Sequence, residues 1–558
     1  MLADTRRQAL LARAAAVVAL AVPLALAPPG RTPQLPQVNA YLPWHTAAVD
    51  AHGNLQPWYR PRSGLGYDHV LRLGWSFIDH GVPLDRRTGR RVYFNYAVFD
   101  QQTRQGIYWQ HNPAELFASF ADALLPWFAY SGDRGAVARV RAMLDYQLAF
   151  GISPADWQWP EVPFPTSCAG DARYGRCLAG MPRSFYGGIE PDKVGLLGLA
   201  YARFYELTGD SRYLRAALSC ANALARHVRV GNAARSPWPF RLDARTGRTL
   251  ENAEYGGMTV APVWLFDELI RLRAGDTASF ARARDTAWRW VLRYPLNPRS
   301  VDWNRWSGHY EDIDYDPDDL NQAIPTTTAL YLLTRADPAA VDLRWRQHVR
   351  ELLAWVRSYL GRGPFRGAWA IDEQRKPVRG AFACCSPAGL GSDTARWAAA
   401  TLLVSRDTDD PDVRATGRHS LAYATYFMQA DGLVSCCGAQ YPQADWFSDG
   451  YADYLKSFSL ALAADPRLAP AHEDHVLGST SVVQAVTYDR NVVAYRTFSK
   501  SSVEVMRLTF VPRRVLADGR ELRRRQNLRR PGFVVSRVGE GDAVVRVRHD
   551  DARSVVLR

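Results

Sequence analysis

The 558 residues offer little that would cross a bilayer: the apolar run near the start, Ala14 to Ala27, is too short to span one comfortably, and no other stretch is long enough. No Walker loop and no Rossmann fingerprint occurs, so no nucleotide cofactor is implied. His111, His309 and His475 stand in no HExxH or paired-cysteine spacing, which leaves zinc without a ligand set, and no metal or other cofactor is expected. Zinc fingers and RNP motifs are also missing, so nucleic acid is not an expected partner.

Cysteine is scarce, with seven residues. Arg6, Arg7 and Arg13 precede the apolar run, and Ala25-Leu26-Ala27 follows before Pro28, which is the layout of a secretory signal; an uncleaved anchor is the alternative. Residues 1–30 are read that way, which makes the chain exported: periplasmic, secreted or held at the membrane by this segment alone. In an oxidising compartment Cys168 and Cys177 are placed to pair across one short loop, and the doublets Cys384-Cys385 and Cys436-Cys437 could pair with each other. Cys220, inside a helical pattern, reads as a buried small hydrophobe.

Hydrophobic residues make up 47% and charged residues 22% of the chain, a globular balance. The length exceeds what one core normally supports, so a large domain with a smaller one is expected. The net charge of +13 is densest at Arg513, Arg514, Arg520, Arg523, Arg524, Arg525, Arg529 and Arg530. Such a cluster attracts polyanions; a solvated face is the plain alternative.

Apolar residues recur at helical spacing in paired segments, joined by turns at Gly132-Asp133, Gly209-Asp210, Gly275-Asp276, Ala336-Asp337 and Asp407 to Asp410, roughly 60 to 80 residues apart. Lys193 to Leu207 and Tyr213 to His227 show the pattern best. Five turns give five hairpins. A helix near Tyr67 to His80 and another near Trp446 to Ala463 lack local partners, and pairing first with last makes a sixth hairpin that closes a ring. An open array would instead need polar capping repeats at its ends. After Pro466 the texture changes to alternating runs, Val482 to Tyr488, Val492 to Thr497, Val503 to Val511, Phe533 to Val538 and Ala543 to Val547, which read as strands. The fold class is therefore mainly α, an (α/α)6 toroid with a C-terminal antiparallel β domain: residues 31–66 an N-terminal arm, 67–470 the barrel, 475–558 the β domain.

The segments that lead into the first helix of each hairpin are rich in polar and aromatic residues, whereas the turns at the other end are plain. They carry Trp109, His111 and Glu115; Tyr186, Glu190, Asp192 and Lys193; Glu254 and Tyr255; His309, Tyr310, Glu311, Asp312 and Gln322; Asp393 and Arg396; and Trp446, Asp449 and Tyr451. Equivalent ends of equivalent helices share one face of a closed ring, so these residues would meet at one mouth. The 18 Trp, 26 Tyr and 21 Phe supply flat faces suited to sugar rings, beyond their ordinary use in cores.

On the hairpin repeat, on Phe204-Tyr205-Glu206-Leu207-Thr208-Gly209-Asp210 with Tyr213 and Ala216, and on these acidic and aromatic segments, the chain from about Tyr67 onward resembles the six-hairpin glycosidase superfamily of (α/α)6 barrels. That resemblance implies a carbohydrate-active enzyme. Most members are glycoside hydrolases, but polysaccharide lyases and uronate epimerases share the fold. Hydrolysis needs a protonated carboxyl to donate to the leaving oxygen and an ionised one to activate water, and barrels of this kind mostly resemble inverting enzymes. Glu311 is the expected acid and Asp449 the expected base, with Glu190, Asp192 and Asp312 next in line; Glu190, Asp192 and Asp449 could equally be helix caps or dipole partners. The other residues named at the mouth would bind a polysaccharide or oligosaccharide. If that glycan is anionic, lyase or C5-epimerase chemistry is the alternative, with Tyr186, His309, Tyr310 and Arg396 at hand; a glycan-binding envelope protein without activity is the third reading. The run Asp312, Asp314, Asp316, Asp318, Asp319 is a poor calcium loop, since Pro317 stands where glycine is needed and Ala323 where a glutamate is needed.

Overall fold

A computed structural model describes residues 42, 44–60, 64–96, 98–100, 102–107, 112–167, 173–175, 186–250, 253–299, 306, 320–372, 374–375, 389–434, 444–446 and 449–558. Among them are twelve α-helices: α1 (Leu65–Ser76), α2 (Pro113–Ser131), α3 (Arg134–Phe150), α4 (Pro191–Thr208), α5 (Ser211–His227), α6 (Val260–Leu272), α7 (Thr277–Arg293), α8 (Ala323–Thr334), α9 (Trp345–Leu360), α10 (Gly391–Thr408), α11 (Pro411–Ala424) and α12 (Asp449–Ala464). None of the described helices is long and apolar enough to cross a membrane.

The even-numbered helices form the inner ring. Helix α2 packs on α4, α4 on α6, α6 on α8, α8 on α10, α10 on α12, and α12 returns to α2. Each odd-numbered helix from α3 to α11 lies outside the inner helix that precedes it, and α1 lies on α12, so the first helix and the last complete the sixth hairpin. The sequence explains which helix goes where. In α5 the buried residues Tyr213, Ala217, Cys220, Ala221 and Leu224 make one stripe, as an outer helix with one wet face requires. Helix α4 is buried almost all round, and Gly195 lets it approach α6, since a Cβ there would come within 2.5 Å of the Pro262 nitrogen.

The five turns fall where the Asp residues stand, because each Asp caps the helix or helical turn that follows. Asp133 accepts from the Ala136 N–H at 3.0 Å, Asp210 from Arg212 at 3.0 Å, Asp276 from Ser279 at 3.0 Å, Asp337 from Ala340 at 3.2 Å and Asp410 from Asp412 at 2.9 Å. Such caps contribute about 1 kcal/mol each. Gly132 and Gly209 adopt φ of 72° and 74° before two of them, the left-handed conformation that ends the preceding helix.

Two expected boundaries shift. The helix expected from Trp446 starts at Asp449, because Ala444–Trp446 pairs as a strand with Val98–Asp100. The first helix ends at Ser76 and passes into a π-helical turn, Phe77–Gly81.

The C-terminal strands are β1 (His475–Ser479), β2 (Val483–Asp489), β3 (Val492–Thr497), β4 (Ser502–Leu508), β5 (Val515–Ala517), β6 (Arg520–Glu521), β7 (Gly532–Arg537), β8 (Ala543–His549) and β9 (Ser554–Leu557). They make two antiparallel sheets, ordered β1-β4-β8-β7 and β2-β3-β9-β5-β6. Alternate residues such as Val493 and Tyr495, Val545 and Val547, and Val555 and Leu557 fill the space between them. This domain sits on the ends of the inner helices: His475 Nδ1 donates to the Tyr130 carbonyl (2.9 Å) and the imidazole stacks on the Tyr130 ring, and the Gln484 amide donates to the Glu206 carbonyl at 2.6 Å. It covers the C-terminal end of the barrel and leaves the N-terminal end of the inner helices as the mouth.

Candidate active site

At the mouth, α2 and α4 both begin with proline, Pro113 and Pro191, whose missing N–H costs nothing in a first turn. Glu190, just before α4, is extended backbone, with φ −121° and ψ 110°. Its neighbours Gly188 and Ile189 pair antiparallel with Asp243 and Leu242, and this two-residue ladder places Arg241 opposite Glu190. The Arg241 Nε donates to Glu190 Oε1 at 2.6 Å. The other oxygen, Oε2, accepts from Asn112 Nδ2 at 3.2 Å. Asn112 also caps α2 by accepting from the Glu115 N–H at 3.1 Å, so one side chain ties the starts of α2 and α4 together.

Lys193, fully buried in the first turn of α4, is the centre of the group. Its Nζ lies 2.9 Å from Glu115 Oε2, 2.9 Å from Asp192 Oδ2 and 3.7 Å from Glu190 Oε2. Burial works against its charge, but Asp192, Glu115 and Glu190 outweigh that, and its pKa is raised above the ordinary lysine value. Among the described residues, three carboxylates thus face two cations, Lys193 and Arg241. Asp192 also borders a cavity of about 10 Å³ walled by Trp238, Phe240, Met258 and Thr259, room for about one water. Tyr186, four residues before Glu190 in the chain, is 51% exposed.

A second charged group lies on α10 and α12, across the ring from α4. Arg396 Nη1 is 3.5 Å from Asp393 Oδ1 and Arg396 pairs with Asp453, whose Oδ1 lies 3.9 Å from Lys456 Nζ. Lys456 and Arg203 both pair with Asp122 of α2. Alternating charges therefore run from Asp393 at the mouth down to Arg203 on α4. Burial alone would raise the Asp122 carboxyl, but Lys456 and Arg203 hold it well below the usual carboxylate range.

Of the residues expected at the mouth, Glu115, Glu190, Asp192 and Lys193 come together, as do Asp393 and Arg396. Gln322 stands buried at the start of α8, its Oε1 accepting from Thr326. Glu254 is elsewhere engaged: Arg229 Nη1 donates to it at 2.5 Å on the connection from α5 to α6. Tyr255 is buried and packs on Trp290 of the outer helix α7, and Tyr451 is buried and donates to the carbonyls of Gly74 (3.0 Å) and Gly432 (2.7 Å). Trp109, His111, His309, Tyr310, Glu311 and Asp312 lie outside the described residues, as do Cys168, Cys177 and both cysteine doublets. Asp449 is the first residue of α12 and Trp446 lies in a strand; their side chains also fall outside the described set.

Arg241, Asp122, Arg203 and Lys456 are not among the residues expected at the mouth. The last three carry a signal in the sequence, since each is a charge within an otherwise apolar helix. Arg241 carries none, because only the ladder brings it to Glu190. Near the barrel floor, Asp68, Glu473 and His475 bring possible ligand atoms within 4.8 Å of one another. The Arg72 Nε donates to both Asp68 oxygens at 2.8 Å and its Nη2 to Glu473 at 2.9 Å, so a metal would have to displace a guanidinium already seated there.

No protein-family model and no curated protein matches the chain. Solved structures do. The fold is similar to a sugar epimerase from a ruminal bacterium, with 9% identity over 71% of this chain and 98% of that one and a TM-score of 0.49. It is similar also to the unsaturated glucuronyl hydrolase of Bacillus sp. (11%, 74% and 99%, TM-score 0.43) and to an alpha-1,6-mannanase of Salegentibacter sp. (11%, 72% and 99%, TM-score 0.42). At such identities no residue of those enzymes lends its role to a residue of this chain.

Proposed function

We propose that the chain is a carbohydrate-active enzyme and that it hydrolyses a glycosidic bond of an extracellular or envelope polysaccharide at the barrel mouth, with inversion. The observation that carries this reading is the gathering of buried carboxylates at the N-terminal ends of inner helices on opposite sides of the ring, Glu115, Glu190 and Asp192 on α2 and α4 and Asp393 on α10. Glu190 is gripped by Arg241 and Asn112 with Lys193 nearby, so in this reading it positions charge at the mouth. Glu311 takes the acid role and Asp449 the base role in this proposal, with Asp192 the next base, beside its water-sized cavity. Tyr186 offers an exposed ring for a sugar to stack on.

A lyase or C5-epimerase would need a cation at the mouth to neutralise a uronate carboxylate. Lys193, Arg241 and Arg396 are all held by protein carboxylates, which favours hydrolysis. The test is a panel of neutral and anionic glycans incubated with the full chain. New reducing ends without ultraviolet absorbance are the expected result; absorbance from an unsaturated product would make it a lyase, unchanged chain length with altered uronate configuration an epimerase, and binding without turnover a glycan-binding protein. Export directed by the first thirty residues belongs to the same reading, and fractionation of cells expressing the full chain tests it.

A further inference from the structure

At the end of the barrel away from the mouth, a cleft of about 390 Å³ opens between the last turns of α10 and α12 and the outer face of the β1-β4-β8-β7 sheet. In β8 the residues alternate, Val545 and Val547 inward to the sandwich core and Arg546 outward, with Arg546 opposite Val534 of β7 in the register. Arg406, Arg414, Arg467, Arg537 and Arg546 line the cleft, against two carboxylates, Asp409 and Asp465. Both carboxylates are engaged, Asp409 by Arg414 at 2.5 Å and Asp465 by Arg418 at 2.6 Å. Among the described residues the side chains of Arg467, Arg537 and Arg546 have no ion pair and no hydrogen bond. Desolvation in the cleft and the neighbouring Arg406, itself paired with Asp407, pull the Arg546 guanidinium below its ordinary value.

Arg406 and Arg467 have a plain explanation, since cations at helix C-termini complement the helix dipole. Arg537 and Arg546 stand on strands and have no such reason to be there. The basic run found in the sequence continues from the same strand: the Phe533 N–H donates to the Arg523 carbonyl at 3.1 Å and the Arg525 N–H to the Phe533 carbonyl at 2.8 Å, so the loop bearing Arg523, Arg524, Arg529 and Arg530 lies beside β7. Guanidinium forks match carboxylate and sulfate groups two oxygens at a time. No Trp, Tyr or Phe lines the cleft, so nucleobases would find nothing to stack on, and single-stranded nucleic acid normally needs that platform.

We propose that this cleft binds the carboxylate or sulfate groups of an acidic saccharide chain, apart from the barrel mouth. The saccharide part of the proposal rests on reading the chain as carbohydrate-active. It also accounts for where recognition of an acidic glycan would occur, given that the mouth cations are already neutralised: the charged groups are gripped at the floor and the β domain, away from the bond that is cut.

The experiment is a titration of the full chain by calorimetry with a hexamer of galacturonic acid, with cellohexaose, inorganic sulfate and a single-stranded oligonucleotide of equal charge as comparisons. The hexauronate is expected to bind, and the double variant R537Q/R546Q to weaken it about tenfold or more, with unchanged melting temperature and unchanged turnover of a short neutral glycan at the mouth. Unchanged hexauronate affinity in that variant overturns the site. Sulfate binding as tightly as the hexamer, or the oligonucleotide more tightly, overturns the saccharide assignment. A chain that cleaves no glycan yet binds hexauronate through Arg537 and Arg546 keeps the cleft and loses only the reading of the mouth.

Discussion

The Nε of Arg241 and the Oε1 of Glu190 lie 2.6 Å apart although 51 positions separate them in the chain. Their pairing fixes the start of α4, and with it Lys193, whose Nζ is shared by Glu115 of α2 and by Asp192. The mouth is thus held as one electrostatic unit.

Lys193→Met should therefore destabilise the barrel by about 3 to 5 kcal/mol, because it leaves buried carboxylates without their cation. Urea unfolding at neutral pH measures this. In the native chain the Lys193 pKa is raised, so its contribution is complete below the ordinary lysine value of 10.5 and is lost only as pH climbs through the folded value. The variant should behave oppositely, recovering stability as the pH falls and the carboxyls nearest the lost cation, Glu115 and Asp192, take up protons; a deficit that stays constant from pH 7 to pH 4 would disprove the charge argument.

How far the sequence led can be judged on single residues. Asp133, Asp210, Asp276, Asp337 and Asp410 marked the turns because a cap is a local event, readable from one residue and its neighbours. Closure of the ring followed from apolar ends that had to be covered, and α1 on α12 is that cover. The aim of side chains at the mouth was not readable. An inner helix is apolar on several faces, so periodicity cannot say that Tyr451 of α12 turns to Gly74 and Gly432. Nor could it find Arg241, which a two-residue ladder delivers.

At the barrel floor, Glu206 of α4 and Glu268 of α6 both pair with Arg271. Burial and the neighbouring Glu268 raise the Glu206 carboxyl well above the ordinary glutamate value of 4.5; Glu268 is itself buried, but the Glu206 proton and Arg271 keep it ionised. A raised carboxyl binds its proton in the folded state, so native stability should decline as pH rises above 4.5 toward the folded value. Glu206→Gln carries that hydrogen permanently and should flatten the decline while leaving stability near pH 5 unchanged. Thermal melting across pH 5 to 9 decides; parallel curves for the two proteins would mean that Glu206 holds no such proton.

Cys220 is buried on α5, and burial pushes its thiol up to about 12. The thiolate is the reactive form, so this cysteine should resist alkylation in the folded chain and react only on unfolding. Mass spectrometry after iodoacetamide with and without denaturant checks it, and rapid native labelling of Cys220 would show that α5 opens readily.

The last prediction concerns the chemistry. If Glu311 donates the proton and Asp449 activates water, the amide variants Glu311→Gln and Asp449→Asn keep size and lose the titratable oxygen, so turnover should fall by about two orders of magnitude or more with the melting temperature barely changed. Asp449 opens α12, where asparagine is tolerated about as well as aspartate, so Asp449→Asn removes the base while sparing the helix. The two losses should also differ with the leaving group. A substrate whose leaving group needs no protonation should restore much of the rate to Glu311→Gln and none to Asp449→Asn, because only the first has lost the proton donor. Full turnover in both variants would remove the pair from the mechanism. Full turnover in Asp449→Asn alone, with loss in Asp192→Asn, would move the base to α4, beside the water-sized cavity that Asp192 borders.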